Sequence, residues 1–372
     1  MVSRGADFPT TPRTTTPSSR RQTRVETGRL TAIDTFRGLA ILEVVLHHVT
    51  GMSLRHAEAG SDLHVALALL NRTLHFAVPA FLFMTAVVLT RSALNRFSWG
   101  SYYRTRALKS LLPYVLWTVL YVIFKVVTNQ NPSGVLTDPE RWQLWLQYGK
   151  GYFHLYFLLI ALQFYLVLPF LLPLVRRRWS LPWTLAAAFG LQLIVYVLNR
   201  EVLHFRFPGT MAVWYIPAIT LGMYFGANYA QFEDFWRRWR TVIFAACGLA
   251  LAAYLPQAYA VLMKQPVSSP LYSAAHWAYT TVMAVGLFGV AHSLQRAPSW
   301  LRDPLARVGS VSLQIYLLHP ALLFFLNRAG YPGEPVAFLL VMLAYAATAL
   351  TLPFVIARAL EGRRLSVWLF GR

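Results

Sequence analysis

The sequence predicts an all-α, polytopic membrane protein of about ten transmembrane helices with both termini cytoplasmic, and three observations predict it. Hydrophobic residues fill 56% of the 372 positions and charged residues only 13%, about half the ~25% charged share of ordinary soluble domains. Ten stretches are apolar over the roughly 20 residues that a spanning helix takes. Lys and Arg concentrate in alternate connections between those stretches: 24 of the 34 fall on one side, eight on the other and two within spans. By the positive-inside rule the rich side is cytoplasmic, and an even number of spans returns the chain to it.

In chain order, residues 1–29 are rich in Thr, Pro, Ser and Arg and hold no apolar run. They read as a disordered basic tail, and no secretory signal precedes Leu30. A membrane domain, 30–362, follows. Its spans are expected near 31–52, 73–91, 108–128, 152–175, 180–198, 211–230, 241–262, 272–294, 308–326 and 336–358. Residues 363–372 form a short cytoplasmic end.

The net charge of +20 raises the question of nucleic acid, but recognition of that kind needs a basic face on a soluble domain. Here the basic residues are scattered between apolar runs, so no nucleic-acid partner is expected. Cys247 is the single cysteine, which excludes an intrachain disulfide. No Rossmann glycine fingerprint, Walker loop, internal repeat or zinc-type Cys/His spacing occurs, so neither a metal nor a bound cofactor is expected. Function must then come from polar groups inside the bilayer, where ionisable side chains are functional-site candidates by default.

The first span, "IDTFRGLAILEVVLHHV", has the densest set. Arg37 and His48 are eleven positions apart, which on a helix puts them about 20° apart in azimuth and about 16 Å apart in depth. They share a face, with Arg37 at the cytoplasmic boundary and His48 deep. Glu43 and His47 form an i,i+4 pair on another face, and Asp34 sits three residues before Arg37. Arg37 either snorkels to the interface or binds an oxyanion with its planar fork. Histidine is the usual general base near neutral pH, so His48 is a candidate to take a proton from a hydroxyl. Together the two point to group transfer from a cytoplasmic, phosphate-bearing donor.

These residues resemble the membrane-bound acyltransferase family 3, integral membrane O-acyltransferases. The family opens with "ID-x-x-RG-x-AI" and a histidine separated from the arginine by ten residues, matched here by "IDTFRGLAI" and His48. "HFAVPAFLFMTAVVLTR" is similar to its second helix, with Thr85-Ala86 where the family has Ser-Gly. "YYRTRALKSLLPYVLW" resembles its basic cytoplasmic loop, with Arg106 and Lys109 at two positions where the family usually has arginines. "FHLYFLLIALQFYLVLP" and "WYIPAITLGMYFG" are similar to later helices. "VGSVSLQIYLLHPALL" matches Gly-x-x-Ser-x-x-Ile-Tyr-Leu-x-His-Pro, and the ordered set spans about residues 30 to 358.

The resemblance implies an enzyme that moves an acyl group, acetyl, succinyl or similar, from acyl-CoA to a hydroxyl of a surface polysaccharide, glycolipid or other sugar-containing acceptor. It implies a multi-pass protein of the cell membrane, a bacterial plasma membrane, in contact with lipids. His48 would be the base, with Glu43 as its orienting partner, although Glu43 sits about 140° round the helix from His48 and points more naturally at His47. Arg37, Arg106 and Lys109 would hold the donor's phosphates. Tyr316 and His319 lie three apart on one face; His319 either bonds a carbonyl freed by the Pro320 kink or joins the chemistry. His154 either faces the channel from the non-cytoplasmic side or belongs to an interfacial aromatic belt. The sequence leaves the oligomeric state open. The opposing reading is a multi-pass transporter of a sugar or lipid-linked substrate, with Arg37, Glu43 and the histidines as a proton relay.

Overall fold

The computed structural model describes residues 18–371, with side chains from Ala32 onward. No strand occurs among the described residues. The helices are α1 Ser18–Ser53, α2 Asp62–Thr73, α3 Ala77–Asn95, α4 Trp99–Arg106, α5 Leu112–Val127, α6 Pro139–Tyr148, α7 Tyr156–Arg176 and α8 Leu181–Leu198. They continue with α9 Ile216–Ala227, α10 Phe232–Leu262, α11 Ser269–Ser293, α12 Ser299–Ser310, α13 Ser312–Ala329, α14 Pro335–Ala359 and α15 Arg364–Phe370. Of the expected tail 1–29, residues 1–17 lie outside the described residues, and from Ser18 the backbone is helical and runs unbroken into the first span.

Among the described residues, seven helical stretches are long and apolar enough to cross a membrane, or eight when the bent pair α12 and α13 counts as one. The chain is therefore an all-α, multi-pass membrane protein. The expected first and sixth spans fall on α1 and α9, which are not among those stretches. α1 carries Arg37, Glu43, His47 and His48 within its apolar run, and the apolar helix around α9, Ala212–Ala227, is short. The ninth span was expected from residue 308; instead the chain bends by 75° between α12 and α13. Residues 308–310 belong to α12, an amphipathic helix packed on α1.

Caps mark the helices outside the apolar core. Ser61 accepts from the His64 amide at 3.1 Å to start α2. Asp138 accepts from the Glu140 and Arg141 amides at 3.0 and 3.1 Å to start α6, and Gly149, at φ 66°, ends it, as glycine does where the left-handed region is needed. Glu334 accepts from the first-turn amides of α14. The Ala337 and Val336 amides hold its carboxyl below the ordinary carboxylate value.

α1 is the hub, touching α2, α3, α11, α12, α13 and α14. Its crossing with α12 is glycine-made: a Cβ on Gly38 would sit 2.1 Å from the Leu305 carbonyl oxygen, and one on Gly309 1.7 Å from that of Asp34. Small residues allow such close backbone approach where lipid gives helices no hydrophobic reason to associate. The α3–α9 crossing follows the same rule from the other partner. Gly222 and Gly226 of α9 meet the Phe83 and Val87 carbonyls, with Ala86 facing Gly222. The glycine absent at position 86 is thus supplied from across the interface.

Candidate active site

α1 brings His48 to α13, where its Nδ1 lies 2.8 Å from His319 Nε2, the two rings stacked at 8°. His319 is fully buried, and its Nδ1 lies 2.9 Å from the Ile315 carbonyl oxygen one turn back. A carbonyl only accepts, so His319 Nδ1 carries the proton, and in the neutral ring its Nε2 is then an acceptor. His48 Nδ1 must donate to it. The network therefore assigns His48 the tautomer with a bare Nε2, the form that a general base needs. One nitrogen of His319 thus bonds the Ile315 carbonyl and the other reaches His48.

Three cavities lie in series along α1. The inner one, about 150 Å3, is lined by Arg37, Thr85, Lys109, Ser110, Tyr165 and Tyr316 among others. The middle one, about 90 Å3, shares Tyr316 with it and adds His48, His75 and His154. The outer one, about 380 Å3, shares His47 and His48 with the middle one and is also lined by Arg55, Arg72, Tyr152 and Phe153. His48 stands between the middle and outer cavities, and Tyr316 stands between the inner and middle ones.

At the inner cavity, Lys109 and Ser110 sit on a single π-helical turn, Ala107–Leu111, inserted between α4 and α5. Such turns recur at functional sites because the extra residue re-aims side chains. Arg37 Nη1 lies 3.5 Å from Asp34 Oδ1 with 35% of its side chain exposed, a pair too wet and too long to hold the guanidinium firmly. The structure brings Arg37 and Lys109 together. Arg106 does not line the cavity; its guanidinium lies over the Tyr102 and Tyr165 rings at 5.8 and 5.5 Å, and Tyr165 is the wall between it and the space. Gly371, at φ 72°, presses on the Lys109 backbone, and Trp117 Nε1 donates to the Leu369 carbonyl at 2.7 Å. The C-terminal end 363–372 is thus represented, up to Gly371, by α15 docked behind the π turn.

On the other side of His48, Asn71 is a clamp that the sequence analysis missed. Buried in the apolar α2, it donates to the His47 carbonyl at 2.7 Å and to Thr50 Oγ1 at 3.1 Å, while its own carbonyl lies 3.1 Å from His47 Nδ1. Arg72 donates to Asn71 Oδ1 at 2.7 Å. Hydrogen bonds between membrane helices average only about 0.6 kcal/mol, so this network serves the position of α1 more than its stability. An asparagine inside a leucine-rich helix was the available signal. Tyr152, Phe153 and Ser110 lay in stretches read only as apolar or basic.

Glu43 does not take the partner position beside His48, which His319 fills. The i,i+4 pair with His47 does not form either, since that ring turns to Asn71. Glu43 is 5% exposed and lies by the Phe76 and Ala77 amides at the start of α3, where a helix N-terminus suits a carboxyl. His154 is 2% exposed. Its ring nitrogens have no hydrogen-bond partner among the described residues, and Tyr316 Oη donates to its backbone carbonyl. It lines the middle cavity.

A histidine with a bare ring nitrogen, two cations lining the cavity at one end of the line and a larger cavity at the other form an arrangement chemically able to transfer a group to a hydroxyl. No group of His, Cys, Asp and Glu that could hold a metal ion occurs among the described residues. No curated protein and no solved structure matches the chain. The family model described as acyltransferase domain matches residues 30–358. With nearly all of the chain inside that match, this multi-pass membrane protein belongs to the acyltransferase 3 family and is an acyltransferase.

Proposed function

We propose that the protein spans the membrane ten times with both termini cytoplasmic, and that it transfers an acyl group from cytoplasmic acyl-CoA to a hydroxyl of a sugar-containing acceptor at the cell surface, in a bacterial plasma membrane. Residues 30–362 form the membrane domain. The observation that carries this reading is the series of three cavities along α1, two of them meeting at His48, with Arg37 and Lys109 on the first and the widest at the far end.

Arg37 and Lys109 would bind the donor's phosphates, the first as a fork and the second as a point charge. Arg106 would shape that mouth through Tyr165. The pantetheine arm would follow the line from Arg37 towards His48, about 16 Å along α1, passing Tyr316. His48 Nε2 takes the proton of the acceptor hydroxyl as the oxygen attacks the thioester carbonyl. His48 Nδ1–H stays on His319 Nε2, so the positive charge that develops on His48 is shared with a ring held by the Ile315 carbonyl. The tetrahedral intermediate collapses, the carbon–sulfur bond breaks, and the proton on His48 passes to the CoA sulfur. Hydroxyl and thioester become ester and free thiol, with no net proton change.

The test is acyl transfer from labelled acyl-CoA in membranes holding equal amounts of inserted protein. His48→Ala is expected to lower turnover about 10²–10⁴-fold, the usual contribution of a general base. Full turnover in that variant would remove His48 from the chemistry. Movement of the sugar across the membrane with no release of free CoA would replace the enzyme reading with the transporter.

A further inference from the structure

The outer cavity holds two arginines where the topology argues against them. Arg55 and Arg72 are among only eight Lys and Arg on the sparsely charged side of the proposed topology, yet both line this one space. No Asp or Glu lines it with them, and neither arginine is in an ion pair among the described residues. Arg72 spends one nitrogen on Asn71 Oδ1, while its Nε is buried with no partner. A guanidinium has five N–H donors in a fixed fork that matches carboxylate and phosphate oxygens. Two such groups with donors to spare, beside no carboxylate, make a site for an anion.

The rest of the wall gives the shape of what carries that anion. The Phe153 ring is 52% exposed and stands edge-on to the His48 ring, with centroids 4.9 Å apart. Tyr152 and Phe324 add two more rings, and Gln130 and Asn327 add carboxamides. Aromatic faces stack on the C–H faces of pyranose rings, and carboxamides pair with vicinal hydroxyls. A volume of about 380 Å3 lies in the range of small-ligand sites.

We infer that the outer cavity is the acceptor subsite and that it takes a sugar unit bearing an oxyanion, a carboxylate or a phosphate, with Arg72 and Arg55 on the oxyanion and Phe153 turning a hydroxyl towards His48. This rests on the acyl-transfer reading of His48 for its chemistry, but its binding test does not.

The full chain in lipid nanodiscs, in dilute buffer, is titrated with four probes. One pair is the glucuronic acid–N-acetylglucosamine disaccharide and its carboxyl-reduced counterpart; the other is glucose 6-phosphate and glucose. In at least one pair the anionic member is expected to bind about ten-fold or more tightly than the neutral one, as loss of charged hydrogen bonds implies. The pair that shows the preference identifies carboxylate or phosphate as the source. Arg72→Gln and, separately, the exposed Arg55→Gln are expected to bring that ratio close to one. Equal binding within both pairs, no binding at millimolar concentration, or a preference that survives both substitutions overturns the proposal. Release of free CoA from acetyl-CoA is read in parallel. Release that is as fast with the neutral member of both pairs sinks the oxyanion site and leaves the acyltransferase reading standing. Anion-selective binding without CoA release does the opposite.

Discussion

One cavity, larger than any in the candidate site, lies elsewhere in the molecule. Between α7, α8 and α9 lies a space of about 490 Å3, walled by Phe164, Val167, Leu171, Leu174, Ile219 and Met223 among others. The line of three cavities through α1 is smaller piece by piece, but it gathers Arg37, Lys109, His48, His154 and Arg72. In a water-soluble protein the large apolar pocket would be the default ligand site. In a membrane that default fails. The outer wall beside the groove is itself apolar, with Phe170 68% and Leu191 50% exposed, so lipid tails match the groove as well as any ligand. Ionisable groups, by contrast, are expensive in hydrocarbon and gather only where water or a partner is available. Convergence of titratable side chains marks the site here, and volume does not.

That contrast is open to attack at three places. The largest effect is expected inside the line of cavities, at the positioning residue His319. His319→Ala leaves His48 Nδ1–H without its acceptor and frees the ring to turn, so kcat should fall about 10–100-fold, the usual loss on removing an orienting partner. KM for the donor should change little. His319→Gln offers a carbonyl to the same N–H and should restore part of the turnover, which a purely space-filling role would not predict. A smaller effect is expected at the inner mouth. Lys109→Gln should raise KM for acyl-CoA about ten-fold while kcat holds, as loss of one charged hydrogen bond implies; a fall in kcat at unchanged KM would place Lys109 in the chemistry instead. The smallest effect is expected in the large groove. Leu174→Ala should leave donor KM and kcat within about two-fold, since no step of the proposed reaction passes through that wall. A large loss of turnover with intact insertion would make the groove part of the site.

Much of the architecture was legible because the bilayer enforces it. Length and hydropathy placed helices at all ten expected stretches, since a chain in hydrocarbon has few ways to satisfy its backbone. The two stretches that are less apolar or shorter than a spanning helix, α1 and α9, show where that logic stops. α1 carries polar residues that an apolar average penalises, and α9 is a short helix that crosses α3 closely through Gly222 and Gly226. The bend at Val311 was hidden as well. An amphipathic helix that meets α1 through Gly309 and Gly38 reads along the chain as the start of a span.

The sequence by itself determined that this is a helical membrane protein, that Arg37 and His48 share one face of one helix, and that the chain resembles a family of acyltransferases. These follow from composition, helical period and local motif, all of which act within a few turns. Only the tertiary structure decided which group stands beside His48, because His319 is 271 residues away and Glu43, though near in sequence, points to another face. It likewise decided that Lys109 joins Arg37 while Arg106 stacks on tyrosines, since a π turn re-aims side chains that regular helical spacing would have placed together. Contacts between distant helices depend on where glycines let backbones meet, and that information lies in pairs of positions the chain does not bring together until it folds.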